Sequence, residues 1–146
     1  MNHSPAEALE GLVHPDTQVR GGAVDLTVDT VYAIDEPAHL DFGGSELQLA
    51  ATTELDPELR LPSDDHGWWS LSPGTYLIEY NERLVDPPAF LQPRDVLIRG
   101  GGSHASGWVW ELAPIGLHLG GGLELKENAR ISTLWPAPPV DAPESR

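Results

Sequence analysis

Cysteine is absent from the sequence, which excludes a disulfide framework and a thiolate metal site. Basic charge is scarce: eight lysines and arginines stand against 23 acidic residues, Lys126 is the only lysine, and the formal net charge is −15. So few cations leave no basic stripe for a phosphate backbone, and nucleic-acid binding is not expected. No apolar run reaches the roughly 18 residues of a membrane helix, and no membrane association is expected. The N-terminal "MNHSPAEALEGLVHP" has neither a basic start nor an apolar centre, so it is not read as a signal peptide, and a cytoplasmic location is the default expectation. The six histidines, His3, His14, His39, His66, His104 and His118, are scattered without an HxH or HExxH pair, and no zinc site is expected from them.

What the sequence has in quantity is acid, proline and glycine. An acid excess with almost no lysine fits a protein of concentrated salt, a halophilic chain whose carboxylates stay hydrated while salt screens their mutual repulsion. The plainer alternative is an acidic cytosolic protein. Fifteen glycines and 14 prolines, spread along 146 residues, argue for many short strands joined by turns within one domain. In "AVDLTVDTVYAI", Val24, Leu26, Val28 and then Val31 fall against Asp25, Thr27 and Asp29, the pattern of a half-buried strand. "GTYLIEYNERLV" is rich in strand formers, with Tyr76, Ile78 and Tyr80 on one face, and Pro87-Pro88 ends it. "RDVLIRGGG", "GWVWELAP", "IGLHLGGGLEL" and "ARISTLW" read as further strands, "LDFGGSELQLA" as two short extended pieces around a Gly-Gly turn, and "TELDPELRLPSDDHGWW" as a surface loop. The one helix expected is "SPAEALEGLVH", with Ser4 as N-cap, Pro5 at the first position and Glu7 three residues after the cap. The fold class is therefore all-β, a barrel or sandwich with a short N-terminal helix.

Four motifs in order carry a family resemblance: "GGAVDLTVDTVYAID", "LSPGTYLIEYNERLVDPPAFLQPRDVLIRGG", "WVWELAPIG" and "LELKENARISTLW". Together they resemble the dUTPase and dCTP deaminase superfamily over roughly Gln18 to Trp135, with a gap around residues 50 to 70. The resemblance implies a distorted, jelly-roll-like β-barrel over residues 1–135 followed by a proline-rich tail at 136–146, assembled as a homotrimer with active sites between subunits. It implies action on a deoxypyrimidine nucleotide, either cleavage of dUTP to dUMP and pyrophosphate or deamination of dCTP. It also implies Mg2+ held mainly by the substrate triphosphate rather than by a metal site of the chain.

Carried over residue by residue, the resemblance makes Glu111 and Asp25 the catalytic candidates, and Arg94, Asp95, Arg99, Gly100, Gly116 and Arg130 the substrate-binding ones. Asp25 matches the first motif's aspartate, which supports the metal site or the barrel interior; as part of an alternating strand it could equally point outward. Arg94 opens the phosphate motif, but Asp95 and Val96 stand where the family has phosphate-donating serines or their like. A carboxylate about 4 Å from a phosphate charge costs about 1 kcal/mol per charge pair in water, and more at lower effective dielectric. Glu111 falls where dUTPases have a water-orienting aspartate; it keeps the charge on a side chain one methylene longer. Leu112, Ala113 and Pro114 replace a proline-glycine-tyrosine pattern, so the aromatic that packs on deoxyribose is missing, while Gly116 stays in register. Arg130 and Ile131 match the last barrel motif, with Thr133 in place of its glutamine. The tail "PAPPVDAPESR" cannot cradle phosphate with successive amides, because its prolines lack the N–H. These departures set a second expectation beside the enzyme: a catalytically silent trimer using the same barrel for binding or assembly. "RGGGSHASG" is read as a hairpin rather than a phosphate loop, Ser103-His104 lacks a nucleophile-elbow context, and "HGWW" is read as core or subunit interface.

Overall fold

The computed structural model describes residues 4–138; the tail residues 139–146 lie outside the described residues. The chain opens with a 3₁₀ turn at Pro5–Ala8, then β1 (Leu9–Glu10), α1 (Pro15–Gln18), β2 (Val19–Arg20), β3 (Ala23–Glu36) and β4 (Ala51–Glu54). Next come β5 (Trp68–Leu71), β6 (Gly74–Tyr80), β7 (Arg83–Leu84), β8 (Ala89–Pro93) and α2 (Asp95–Arg99). The chain closes through β9 (Gly102–Ser103), β10 (Gly107–Val109), β11 (Ile115–Leu119), β12 (Leu123–Lys126) and β13 (Arg130–Pro136). The main sheet runs β10-β8-β13-β3-β6-β11-β9, with β2 and β4 also pairing β3; β1-β7 and β12-β5 form two small ladders. This is the expected all-β architecture, a strongly curled half-barrel.

β3 is the spine. Its first half pairs β13 and its second half pairs β6 and β4, with register shifts that let one long strand bend from one pairing to the next. Val24, Leu26, Val28 and Val31 of β3 enter a single apolar core with Ile131 and Leu134 of β13, Leu91 of β8, Ile78 of β6 and Leu117 of β11. The β5–β12 ladder adds Trp69, Leu71 and Leu125. "HGWW" thus divides: Trp69 is core, while Trp68 lies half-buried with the Arg60 guanidinium 3.7 Å from its ring centroid and the Lys126 ammonium 5.5 Å away.

Several local expectations need correction. Residues 23–28 of β3 are buried on both faces, not one, because Asp25 and Thr27 are met by polar partners instead of water. The N-terminal helix is a single 3₁₀ turn: Ser4 Oγ does accept from the Ala6 N–H, but Leu9 is already extended and Gly11 sits at φ 84°. A Cβ at Gly11 would come within 2.6 Å of the Asn81 carbonyl, so this turn needs both the conformation and the missing side chain. "RDVLIR" is a helix, α2, and not a strand. Five residues are too few to show a helical period, and its Val-Leu-Ile run reads as β; Gly100 closes it, its N–H donating to the Val96 and Leu97 carbonyls. "LDFGGSELQLA" forms no strand: a single bridge between His39, just before it, and Gln48 closes the loop around the Gly-Gly turn, and β4 falls partly within the stretch read as a loop.

Candidate functional site

The sequence "VRGGAVD" makes a tight hairpin in which Arg20 of β2 pairs with Ala23 of β3, bringing the Arg20 side chain beside Asp25. Asp25 is fully buried, and three arginines meet it. Arg20 donates to Oδ1 at 2.9 Å, Arg130 of β13 donates to Oδ2 at 3.0 Å, and Arg94, between β8 and α2, lies 3.6 Å from Oδ2. Arg94 also donates to the Arg130 carbonyl at 3.0 Å, which fixes its guanidinium against β13. Burial draws the Arg94 guanidinium down from its ordinary value; Asp25 opposes this, and the neighbouring Arg130 and Arg20 add to it. A carboxylate ringed this way keeps several guanidiniums close without their mutual repulsion opening the site.

Arg20, Arg94 and Arg99 line one wall of a cleft of about 510 Å³, with Asp95, Val96, Gln92, Thr133 and Trp135. The volume lies in the roughly 300–1,000 Å³ range of small-molecule sites. Thr133 sits opposite Asp25 on β13 and Gln92 opposite Thr133 on β8, so one row across the sheet supplies both the buried carboxylate and the cleft floor. Arg99 Nε and Asp95 Oδ2 form an exposed pair at 2.8 Å across one turn of α2. Four of the chain's eight basic residues therefore gather here against Asp25 and Asp95, a formal surplus of two positive charges on a chain of −15. Chemically, the arrangement can bind an anion and orient it.

Of the residues singled out in the sequence, Asp25, Arg94 and Arg130 are brought together, with Asp95, Arg99 and Gly100 on the adjoining helix turn. Glu111 and Gly116 are elsewhere. β10 pairs β8 in antiparallel fashion, Val109 facing Ala89, so Glu111 leaves from the end of β8 opposite to Arg94. It is exposed and has no hydrogen-bond or ion-pair partner among the described residues. Gly116 sits on β11 opposite Leu77. Both Asp25 oxygens are taken by guanidiniums, leaving Asp95 as the cleft's one carboxylate, and no three acidic, histidine or cysteine side chains among the described residues gather as a metal site. The side chains present thus do not form a magnesium site of their own.

Sequence reading missed Arg20, although the Gly-Gly hairpin signal before Asp25 would place it. It also missed two buried polar networks. Glu82 accepts from the Thr27 N–H at 2.8 Å, the Thr27 hydroxyl at 2.5 Å and Gln18 Nε2 at 2.9 Å, and burial pushes its carboxyl up from the ordinary value, against these hydrogen bonds. Gln18 Nε2 also donates to the Asp25 carbonyl, while its Oε1 accepts from the His14 N–H, so one amide joins Glu82 to the strand segment bearing the arginine cluster. On the other side of the sheet, His104 Nδ1 donates to the Ala105 carbonyl, leaving Nε2 to accept from the Ser132 hydroxyl at 2.7 Å, which in turn accepts from the Tyr80 hydroxyl at 2.6 Å. Burial pulls the His104 imidazole below its usual value and pushes the Tyr80 hydroxyl up. Ser132 is fully buried, so the pair is an interior fastening and not an accessible nucleophile.

The fold is similar to one already solved. A 2'-deoxycytidine 5'-triphosphate deaminase from Agrobacterium tumefaciens superposes with a TM-score of 0.58 at 14% identity, over 88% of this chain and 43% of that one. A protein of Methanococcoides burtonii named "Probable deoxyuridine 5'-triphosphate nucleotidohydrolase" is 29% identical over 136 residues, 86% of this chain and 76% of its own. A protein of the same name from Halobacterium salinarum is 32% identical over 87 residues, 58% of this chain and about half, 51%, of its own length. No family model matches the sequence. The likeness to these proteins, together with the ordered motifs, supports the dUTPase and dCTP deaminase superfamily. Among the described residues no helix is long and apolar enough to cross a membrane.

Proposed function

We propose that the chain is a nucleotide hydrolase of the dUTPase type, acting on deoxypyrimidine triphosphates, with the Arg20–Arg94–Arg99 wall as its phosphate-reading surface. The observation that carries this reading is the gathering of three of the eight basic residues of so acidic a protein around one buried aspartate at the edge of an open cleft, with a fourth, Arg99, lining the same cleft. Asp25 positions the arginines, both of its oxygens being occupied by guanidiniums. Glu111 is the candidate base. It lies too far along the sheet to serve the cleft of its own chain, so catalysis needs a second copy to bring it there, in line with a homotrimer whose sites lie between subunits. Mg2+ would arrive with the triphosphate and supply charge neutralisation there. The expected boundary between a barrel at 1–135 and a proline-rich tail at 136–146 falls at the end of β13, whose last residue, Pro136, still pairs with Ala89, and the acid excess suits a cytoplasm rich in salt.

A second reading, nucleotide binding without turnover, is favoured by one specific feature: Asp95 faces the cleft and ties up Arg99. One experiment separates the two. Purified protein is incubated with dUTP or dCTP and magnesium in molar potassium chloride, with pyrophosphate and ammonia followed and mass measured by light scattering. The hydrolase reading expects pyrophosphate or ammonia from a trimer. Binding, seen as a rise in melting temperature with nucleotide but no product, selects the second reading. No binding and no product rejects both.

A further inference from the structure

We propose that Asp95 is a specificity residue of the cleft, grading ligands by their charge so that each added phosphate gains less than the arginine wall alone would give. The inference rests on reading the cleft as a nucleotide-phosphate site, and it goes beyond that reading by saying which nucleotides the cleft favours.

Asp95 and Arg99 both line the cleft. Their side chains are 77% and 71% exposed, so the pair is held by its own 2.8 Å contact and not by packing. The structural contribution of Asp95 is small: it stands in the first turn of α2 and pairs with Arg99 one turn on, both exposed, and Arg99 is the only partner of its carboxylate among the described residues. Arg99 is thereby engaged before any ligand arrives. Arg20 and Arg94 are in turn partly neutralised by Asp25. The wall therefore presents less free positive charge than its arginines suggest, and a fixed negative charge stands among them. Repulsion between that carboxylate and a bound phosphate chain grows in proportion to ligand charge. At roughly 6 Å in a water-like dielectric it weakens binding about threefold for each added unit of negative charge. Asp95 thus flattens the preference for triphosphate over monophosphate that guanidiniums alone would set.

The test titrates the full-length chain with dUMP, dUDP and dUTP by calorimetry, in chelator to remove divalent cations and at the lowest salt that keeps it folded. Wild type is compared with Asp95→Asn and, against new contacts from the amide, with Asp95→Ala. Both variants should bind tighter, and the gain should rise along the series to about tenfold more for dUTP than for dUMP. Raising potassium chloride to molar levels should collapse the slope, since screening then acts within about 3 Å. An equal gain for all three nucleotides, or no gain while wild type binds them, overturns the proposal and leaves the phosphate cleft standing. If neither wild type nor variant binds any of the three, the reading of the cleft falls and this inference with it.

Discussion

One amide, Gln18, bonds the Glu82 carboxylate and the backbone carbonyl of Asp25, and the chain treats the buried carboxylates of these two residues in opposite ways. Asp25 receives three arginines from three different elements. Glu82 receives no cation, only hydrogen bonds from Thr27 and Gln18. Both are almost wholly withdrawn from water, so burial alone does not distinguish them. Their partners do. The arginines on Asp25 reach from the interior to a cleft, whereas every group bonded to Glu82 is itself buried and ties the N-terminal segment to β3. A carboxylate that gathers charge marks a candidate site; one that gathers only dipoles marks an anchor. The difference also has an energetic side. Removing one member of a buried ion pair strands the rest, whereas a carboxylate held by dipoles can be neutralised in place.

The comparison breaks most sharply at Asp25. Asp25→Ala leaves Arg20, Arg94 and Arg130 facing one another, and a loss of about 3–5 kcal/mol is expected from urea unfolding without nucleotide. A loss below about 1 kcal/mol would mean the arginines relax to solvent and the cluster is not an organising centre. Next, Glu82→Ala removes the acceptor for the Thr27 N–H, the Thr27 hydroxyl and one Gln18 hydrogen, and should cost about 2–3 kcal/mol. Glu82→Gln should cost less and change the pH response. The folded carboxyl of Glu82 titrates above its unfolded value, so the folded state holds its proton longer. The stability this confers is complete below about pH 4.3 and is lost as pH rises through the folded value. Unfolding curves of wild type and Glu82→Gln measured from pH 4 upward should therefore diverge, wild type falling relative to the variant. Parallel curves would show that its three hydrogen bonds outweigh burial. The smallest effect belongs to the exposed pair: Asp95→Asn should change stability by only about 0.3–0.5 kcal/mol, although it lies on the same cleft. A larger loss would make Asp95 structural and undercut its role in selecting ligands.

Much of the barrel was legible because its strands alternate or run β-rich between glycine and proline, as in β3, β6 and β13. The charge cluster was half legible. Asp25, Arg94 and Arg130 came from motif order, while Arg20 was hidden because pairing geometry, and no motif, brings it to Asp25. Alternation also misled: Asp25 and Thr27 have the polar character of solvent-facing positions, and only tertiary partners from residues 18, 82, 94 and 130 make them interior. Helix α2 was obscured by length and β-branched composition. Glu82, His104 and Ser132 left no local trace, since each owes its burial to groups far away in the chain, such as Tyr80, 52 positions from Ser132.

The spacing of the arginines around Asp25 carries a consequence for how the molecule is made. Arg20 is five positions away, whereas Arg130 is 105 positions away on a strand that must slot between β3 and β8. During synthesis the aspartate meets its nearest counter-ion almost at once, while the distant one is delivered only after nearly all of the barrel has emerged. Closing so long a loop is slow, and until β13 docks, β3 and β8 present unpaired edges to neighbouring nascent chains. The nearby hairpin thus serves as a temporary escort for a charge whose permanent company arrives last.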